Sequence, residues 1–254
     1  MQYKCEAIVL KSFKLGESDL ILSLYSPEKG LIKAVAKSAR KMKNSFGAKA
    51  QVLSYSEFLI GEGRNLDIIS QSKLKDDFRN LRTDYDTLTL GCYFADLLET
   101  IAIEDDNYED HFDLILNVLK ELDSSKVEIS NHIALEYLWE LINQLGYKPE
   151  LETCSLSQIK KSKARTAQYF DFKNGSITST NAYNKHIISN PYQDEIKLIS
   201  PHAYKVLQAL DLKKFLRDTA SDDVKSAMKL LNTHLEYQIH KPIKSWKLVA
   251  EMLN

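Results

Sequence analysis

The spacing of apolar residues changes once along this chain, at Asp76, and that change limits what the chain can become. Before it, short β-rich runs are punctuated by glycine; after it, apolar residues recur every three or four positions. Alternation puts successive side chains on opposite faces of a strand, whereas the longer period gathers them on one face of a helix. The expectation is therefore an α+β chain, with a sheet module over 1–75 and a mainly helical domain over 76–254.

Within the first module, Glu6–Lys11, Ser18–Ser26, the stretch from Gly30, Gln51–Ile60 and Leu66–Lys73 read as five strands. Turn signals separate them at Leu15-Gly16-Glu17, Pro27–Gly30 and Gly61–Asn65. Five short strands with a long connection after the third fit an N-terminal five-stranded OB-fold barrel. Beyond it, Phe78, Leu81, Tyr85, Leu88 and Cys92 keep helical spacing to Thr100, and further helices are predicted at Glu109–Leu122 and Glu128–Leu145. Ser200-Pro201 reads as a cap and first helical residue, opening a helix to Leu210. Asp222–His240 and Ile243–Leu253 complete the helical set, the last with Trp246 packed inward. A small insertion at about 153–191 differs in character, being rich in Ser, Thr, Asn and Lys. Its Asn174-Gly175 pair between β-formers predicts a hairpin.

The stretch from Gly30 to Gly47 carries the functional signal. On its strand half, Leu31, Lys33, Val35 and Lys37 share one face, and Ile32, Ala34, Ala36 and Ser38 the other. The second face is small and apolar and should pack inward, leaving two lysines about 13 Å apart on the open side. A basic loop follows, with Arg40, Lys41 and Lys43 and the aromatic Phe46. Lysines and arginines meet phosphates, and an aromatic can stack a base, so the pattern suits a single-stranded polyanion. The plainer reading is a solvated edge strand that lysines protect from mispairing. Phe46 is more readily a core plug than a stacking platform.

Net charge is −1, so the chain as a whole is not drawn to nucleic acid, but the charge is unevenly placed. Residues 1–75 hold 13 Lys+Arg against 7 Asp+Glu, and the remainder holds 21 against 28. A basic module joined to an acidic one points to a localised polyanion site. Cys5, Cys92 and Cys154 lie far apart and are odd in number, which argues against a disulfide framework and fits a reducing cytoplasm. No apolar run approaches a membrane span, and no signal-peptide pattern is seen.

An ordered set of segments resembles the bacterial recombination mediator family RecO. It comprises Glu6-Ala-Ile-Val-Leu, Gly16-Glu-Ser-Asp-Leu, Val35-Ala-Lys-Ser-Ala-Arg-Lys, Phe46, Gly63-Arg-Asn-Leu-Asp and Leu81-Arg-Thr-Asp-Tyr. Leu145-Gly-Tyr-Lys-Pro-Glu-Leu-Glu-Thr-Cys154, Leu198-Ile-Ser-Pro-His and Leu235-Glu-Tyr continue it. The resemblance implies an OB-fold followed by a helical region, and binding of single-stranded and double-stranded DNA with annealing of single strands. It also implies RecR and the C-terminal tail of single-stranded-DNA-binding protein as partners. Many members carry zinc on paired Cys-x-x-Cys motifs in the insertion. Here Cys154 is followed by Ser157, and Thr178 and Asn181 stand where cysteines would be expected, so no metal or cofactor is anticipated.

Other candidate chemistry is thin. Glu104-Asp-Asp-Asn-Tyr-Glu-Asp-His111 could hold a divalent cation, but acidic residues before a helix suit a solvated N-terminus better. His234 and His240 do not share a helix face well. No P-loop, HExxH or nucleophile elbow is present, and no enzyme is expected. The reading is a cytoplasmic DNA repair factor that contacts phosphates through Lys33, Lys37, Arg40, Lys41 and Lys43, with Lys11, Lys14, Lys49 and Arg64 in support. An RNA-binding OB protein, or a phosphodiesterase using the acidic cluster, are the alternatives.

Overall fold

The computed structural model describes residues 1–41, 46–102, 109–154, 156, 168–189 and 195–254. These gather into two compact units, Met1–Ser130 with Ile243–Asn254, and Asn131–Pro242.

The first unit opens with a closed barrel of five strands, β1 (Gln2–Leu15), β2 (Asp19–Ser26), β3 (Gly30–Ala36), β4 (Tyr55–Gly61) and β5 (Asp67–Asp76), in the order β1-β2-β3-β5-β4. β1 is longer than its apolar run predicts because it serves two neighbours. Gln2–Ile8 pairs with β4, and Ile8–Leu15 pairs with β2 after an irregularity between Val9 and Lys11. Such a bulge lets one strand turn the corner of a barrel. β3 and β5 close the ring in parallel through only three positions, Ala34–Ala36 against Asp67–Ile69. The inward alternation is as predicted on β3: Ile32, Ala34 and Ala36 join Ala7, Val9, Leu22 and Leu24 in the barrel core. The outward face of β3 is less open than predicted, since Leu31 and Val35 are buried beside the exposed Lys33.

Helices α1 (Tyr85–Ile101), α2 (Glu109–Ser124) and the C-terminal α7 (Trp246–Met252) complete this unit. Phe78 and Leu81 precede α1 rather than opening it, yet both are buried. The helix begins at Asp84, whose carboxylate accepts the Thr87 N–H at 2.9 Å and so caps an orphan donor. A Cβ at Gly91 would meet the Leu53 Cδ1 at 2.8 Å, so any larger residue there would make the Leu53 side chain shift. Trp246 packs on Tyr93 with ring centroids 5.4 Å apart, half-buried rather than fully inward.

The second unit combines α3 (Ser130–Gln144), α4 (Thr180–Ser189), α5 (Pro201–Asp211) and α6 (Ser221–Ile239) with a four-stranded sheet. Its strands are β6 (Glu150–Cys154), β7 (Gln168–Asp171), β8 (Ser176–Ser179) and β9 (Ile196–Ile199), ordered β6-β8-β7-β9. The predicted hairpin is its centre, but the turn is wider than a two-residue Asn-Gly turn. β7 ends at Asp171, whose carboxylate holds the Asn174 N–H at 3.1 Å, and Gly175 takes a positive φ of 57°. A side chain at Gly175 would also press on the buried His234 ring, 3.0 Å away. Ser200 caps α5 by accepting the His202 N–H, with Pro201 at its first position, as predicted.

Candidate nucleic-acid interface

The basic stretch folds as the end of β3 followed by a tight turn. Ser38 adopts a positive φ of 56°, and its N–H is held at 2.7 Å by the Asp19 carboxylate. Arg40 then bends back over the β1–β2 turn. Its backbone N–H donates to the Ser18 carbonyl at 2.9 Å, and its guanidinium donates to the Gly16 and Glu17 carbonyls at 3.2 and 3.0 Å. Both connections are thereby fastened together at one end of the barrel. The Asp19 carboxyl is held below its ordinary value, chiefly by the Ser38 N–H and then by the Ser18 hydroxyl.

The sequence-derived candidates separate into distinct environments. Lys33, Lys37 and Lys41 are exposed, on β3 and in the turn after it. Arg40 is exposed too, with one guanidinium nitrogen, Nη1, donating to the turn carbonyls. Lys43, with Met42, Asn44 and Ser45, lies outside the described residues. Arg64 is exposed in the β4–β5 connection. Lys49 donates to the Ser72 carbonyl at 3.0 Å, half-buried beside β5. Lys14 pairs with Leu20 and, through it, Ala36, so it extends from the opposite side of the sheet to Lys33.

Lys11 shares a face with Lys33: the two flank Ser23 in one row across β1, β2 and β3. Lys11, however, is claimed by α1, its ammonium lying 2.9 Å from Asp96 and 3.3 Å from Glu99. Burial works against its charge, but the two carboxylates outweigh burial and leave its pKa raised. Asp96 in turn accepts the Ser245 N–H and hydroxyl at 3.0 and 2.9 Å, linking α1 to the segment before α7. The strand pattern alone does not separate Lys11 from Lys33. The acidic pair at Asp96 and Glu99, one helical turn apart, was the available signal.

A cleft of about 590 Å³ opens where the first half of β3 has no partner in β5. Lys29, Lys33, Tyr3, Asn65 and Asp67 are among its lining residues. The Tyr3 hydroxyl donates to Asp67 at 2.6 Å, and the Lys29 ammonium lies 4.6 Å from the Tyr3 ring centre. Phe46 is buried in the barrel core and so plugs it, which leaves the described part of the basic turn without an aromatic.

In the second unit, Cys154 is buried and lies in register with Ile177 of β8, Thr178 is buried, and Asn181 is exposed at the start of α4. This set does not fit zinc, having one soft ligand and two side chains that do not ionise. Among the described residues no group of three or more His, Cys, Asp or Glu could hold a metal ion. Of the acidic cluster, Glu104–Asp106 lies outside the described residues. No helix among the described residues is long and apolar enough to cross a membrane.

Residues 1–78 match the family model described as recombination protein O N terminal, and residues 82–247 match its C-terminal counterpart. Among curated relatives, a DNA repair protein RecO from Desulforamulus reducens is 29% identical over 256 residues, covering 98% of this chain and 94% of that protein. Another, from Dehalococcoides mccartyi, is 32% identical over 186 residues, covering 73% and 72%.

Proposed function

The chain belongs to the recombination protein O family, and from that premise we propose that it is a single-stranded-DNA-binding and annealing factor of recombinational DNA repair, without catalytic chemistry of its own. The supporting observation is Lys33, Lys37 and Lys41 exposed in one run at the end of an OB-type barrel, on a turn that Arg40 braces. Annealing requires two mutually repelling strands to approach. A cationic surface lowers that repulsion by releasing counterions, and base pairing then supplies the specificity. The barrel over 1–75 is the DNA-binding part of this proposal. Arg40 acts through the turn it shapes, and Lys11 and Lys49 are internal supports rather than phosphate contacts.

The proposed partners are RecR and the acidic C-terminal tail of single-stranded-DNA-binding protein, and the tail is assigned to the helical unit. A cavity there of about 330 Å³ is lined by Trp139, Leu210, Phe215 and Lys213 together with Glu136 and Glu140, and its apolar walls and Lys213 are the features that would receive such a peptide. Glu136, also at this cavity, is engaged by Arg217 at 3.0 Å. A labelled tail peptide should bind the full chain and lose affinity on Lys213→Glu.

The deciding experiment is annealing of complementary strands, bare and coated with single-stranded-DNA-binding protein. Acceleration in both cases is expected, with a smaller effect for the folded Lys33→Ala/Lys37→Ala variant. A folded protein that accelerates neither reaction sinks the proposal. Competition between matched DNA and RNA strands separates it from an RNA-binding role.

A further inference from the structure

The outward face of the barrel has two ends. Towards one end, Ile8 and Tyr25 are in register on neighbouring strands and are fully buried. The Tyr25 ring lies 6.3 Å from Phe112 of α2. The next row is Lys11, Ser23 and Lys33, where Lys11 meets the carboxylates of α1. One row further, Phe13, Ile21, Val35 and Ile68 are in register across β1, β2, β3 and β5. Here the cover from the described residues thins. Phe13 is 50% exposed and Ile68 38% exposed, and Leu15, next on the same face of β1, is 40% exposed. β1, β2 and β5 thus present an apolar stripe to solvent, with the aromatic ring at one edge and Val35 of β3 buried between Ile21 and Ile68.

Charge borders the stripe on both sides. Lys33 stands two residues before Val35 on β3, roughly 7 Å away along the strand, whereas Lys37, expected on the same strand face, opens the turn that follows Ala36. Lys41 follows in the turn. The acid on this face, Asp19, is turned into the same turn by the Ser38 N–H and the Ser18 hydroxyl. An apolar, aromatic strip between cations matches a polymer whose flat apolar faces alternate with phosphates. A duplex hides those faces in its stack, and a single strand does not.

Resting on the proposed DNA-binding function, we propose that Phe13, with Ile21 and Ile68, is the platform on which unpaired bases of single-stranded DNA stack, while Lys33 and Lys37 hold the adjoining phosphates. This gives the barrel a preference for unpaired strands that phosphate contacts alone cannot supply. Stacking on an aromatic accepts any base, because every base has a π-face.

The test compares full-length wild type with Phe13→Ala, Phe13→Leu and Phe13→Trp, all checked for folding by circular dichroism. The probes are an oligothymidylate, an abasic strand of equal length and a matched duplex. Phe13→Ala and Phe13→Leu should each weaken oligothymidylate binding roughly tenfold, the order of one lost stack. Their affinity for the abasic strand and the duplex, and the salt slope, should stay as in wild type. Phe13→Trp should restore affinity, and its added indole fluorescence should fall on binding oligothymidylate but not the abasic strand.

Wild-type affinity in folded Phe13→Ala and Phe13→Leu overturns the platform. An equal loss on the abasic strand does so too, since the contact would not be with bases. A change confined to the oligomeric state, seen by sedimentation, overturns it in favour of a second copy of this chain on the stripe. If the platform fails while Lys33→Ala/Lys37→Ala still lowers affinity, the DNA-binding reading stands. If wild type binds none of the probes, both fall.

Discussion

The covered and bare ends of the barrel's outward face are built from the same strands with the same alternation, and they differ only in what lies over them. Tyr25 and Phe13 are both aromatic, both outward and both on long strands, yet one is fully buried and the other half exposed. Lys11 and Lys33 repeat the contrast with charge: one lies half-buried against two carboxylates, the other is exposed. A strand pattern therefore specifies which face points away from the barrel core. Whether that face becomes a second core or a binding surface is decided by helices much later in the sequence.

The largest expected effect breaks the covered end. Tyr25→Ala removes a fully buried ring between barrel and α2, and should cost about 3–5 kcal/mol of unfolding free energy in denaturant titration. Phe13→Ala, the same deletion at the bare end, should cost less than about 1 kcal/mol. Comparable losses for the two would mean that the bare end is covered in solution.

Next, Asp96→Ala removes the partner of Lys11 and of the Ser245 N–H together. Hydrogen bonds to charged groups contribute about 1.5–3 kcal/mol each, and Lys11 keeps Glu99, so a loss near 2 kcal/mol is expected. DNA affinity should not fall, because Lys11, still held by Glu99, is not among the proposed phosphate contacts. A variant that is less stable and also binds DNA more weakly would argue that Lys11 is positioned, not neutralised, by α1.

The lysine contrast is read from salt. Lys33→Ala/Lys37→Ala should flatten the slope of log affinity against log salt by up to ~1.4, at ~0.7 per phosphate on a single strand. Lys11→Ala/Lys49→Ala should leave that slope unchanged. Equal slopes for the two double variants would erase the distinction between solvent-facing and internally engaged cations.

The smallest effect lies in the second unit, whose core buries a titratable histidine. His234 is buried, its Nε2 paired with the Tyr147 carbonyl at 2.8 Å and its ring edge-on to Phe170. Burial lowers its pKa below the ordinary 6.5, and the Tyr147 carbonyl only partly opposes this. The folded protein therefore takes up this proton less readily than the unfolded chain. Its contribution is intact above about pH 6.5 and declines as pH falls below that, by at most about 1.4 kcal/mol per pH unit for one proton. His111, also lowered mainly by burial, acts in the same direction. Unfolding titrations at pH 7 and 5.5 should show a smaller difference in His234→Gln than in wild type, and an equal difference would remove His234 as a titrating group.

The barrel was readable because its signals are local: turn glycines, alternation on β3, and a length that limits five strands to few topologies. The capped start of α5 was readable for the same reason. The four-stranded sheet of the second unit was not. Only its central hairpin has both strands and turn close in sequence, while β6 and β9 are short and join it from either side. For the site, alternation put Lys33 outward and Ile32, Ala34 and Ala36 inward, and both are so. It could not separate Lys33 from Lys11, or reveal that Arg40 Nη1 holds the Gly16 and Glu17 carbonyls, because those partners are set by tertiary contacts. Phe13 escaped notice because an apolar residue in a strand reads as core until the covering layer is known.

The Asp96–Ser245 clasp and α7 belong to the same compact unit as the barrel, although all of Asn131–Pro242 lies between them in the chain. The consequence concerns the order of manufacture. A ribosome releases the barrel strands first, then the entire second unit, and only afterwards the segment that fills the carboxylate of Asp96 and seats Trp246 on Tyr93. Until then the nascent barrel and α1 wait with one flank unfinished. A message cut short just before Ile243 therefore leaves the first unit, and not merely the last one made, without its clasp and its final helix.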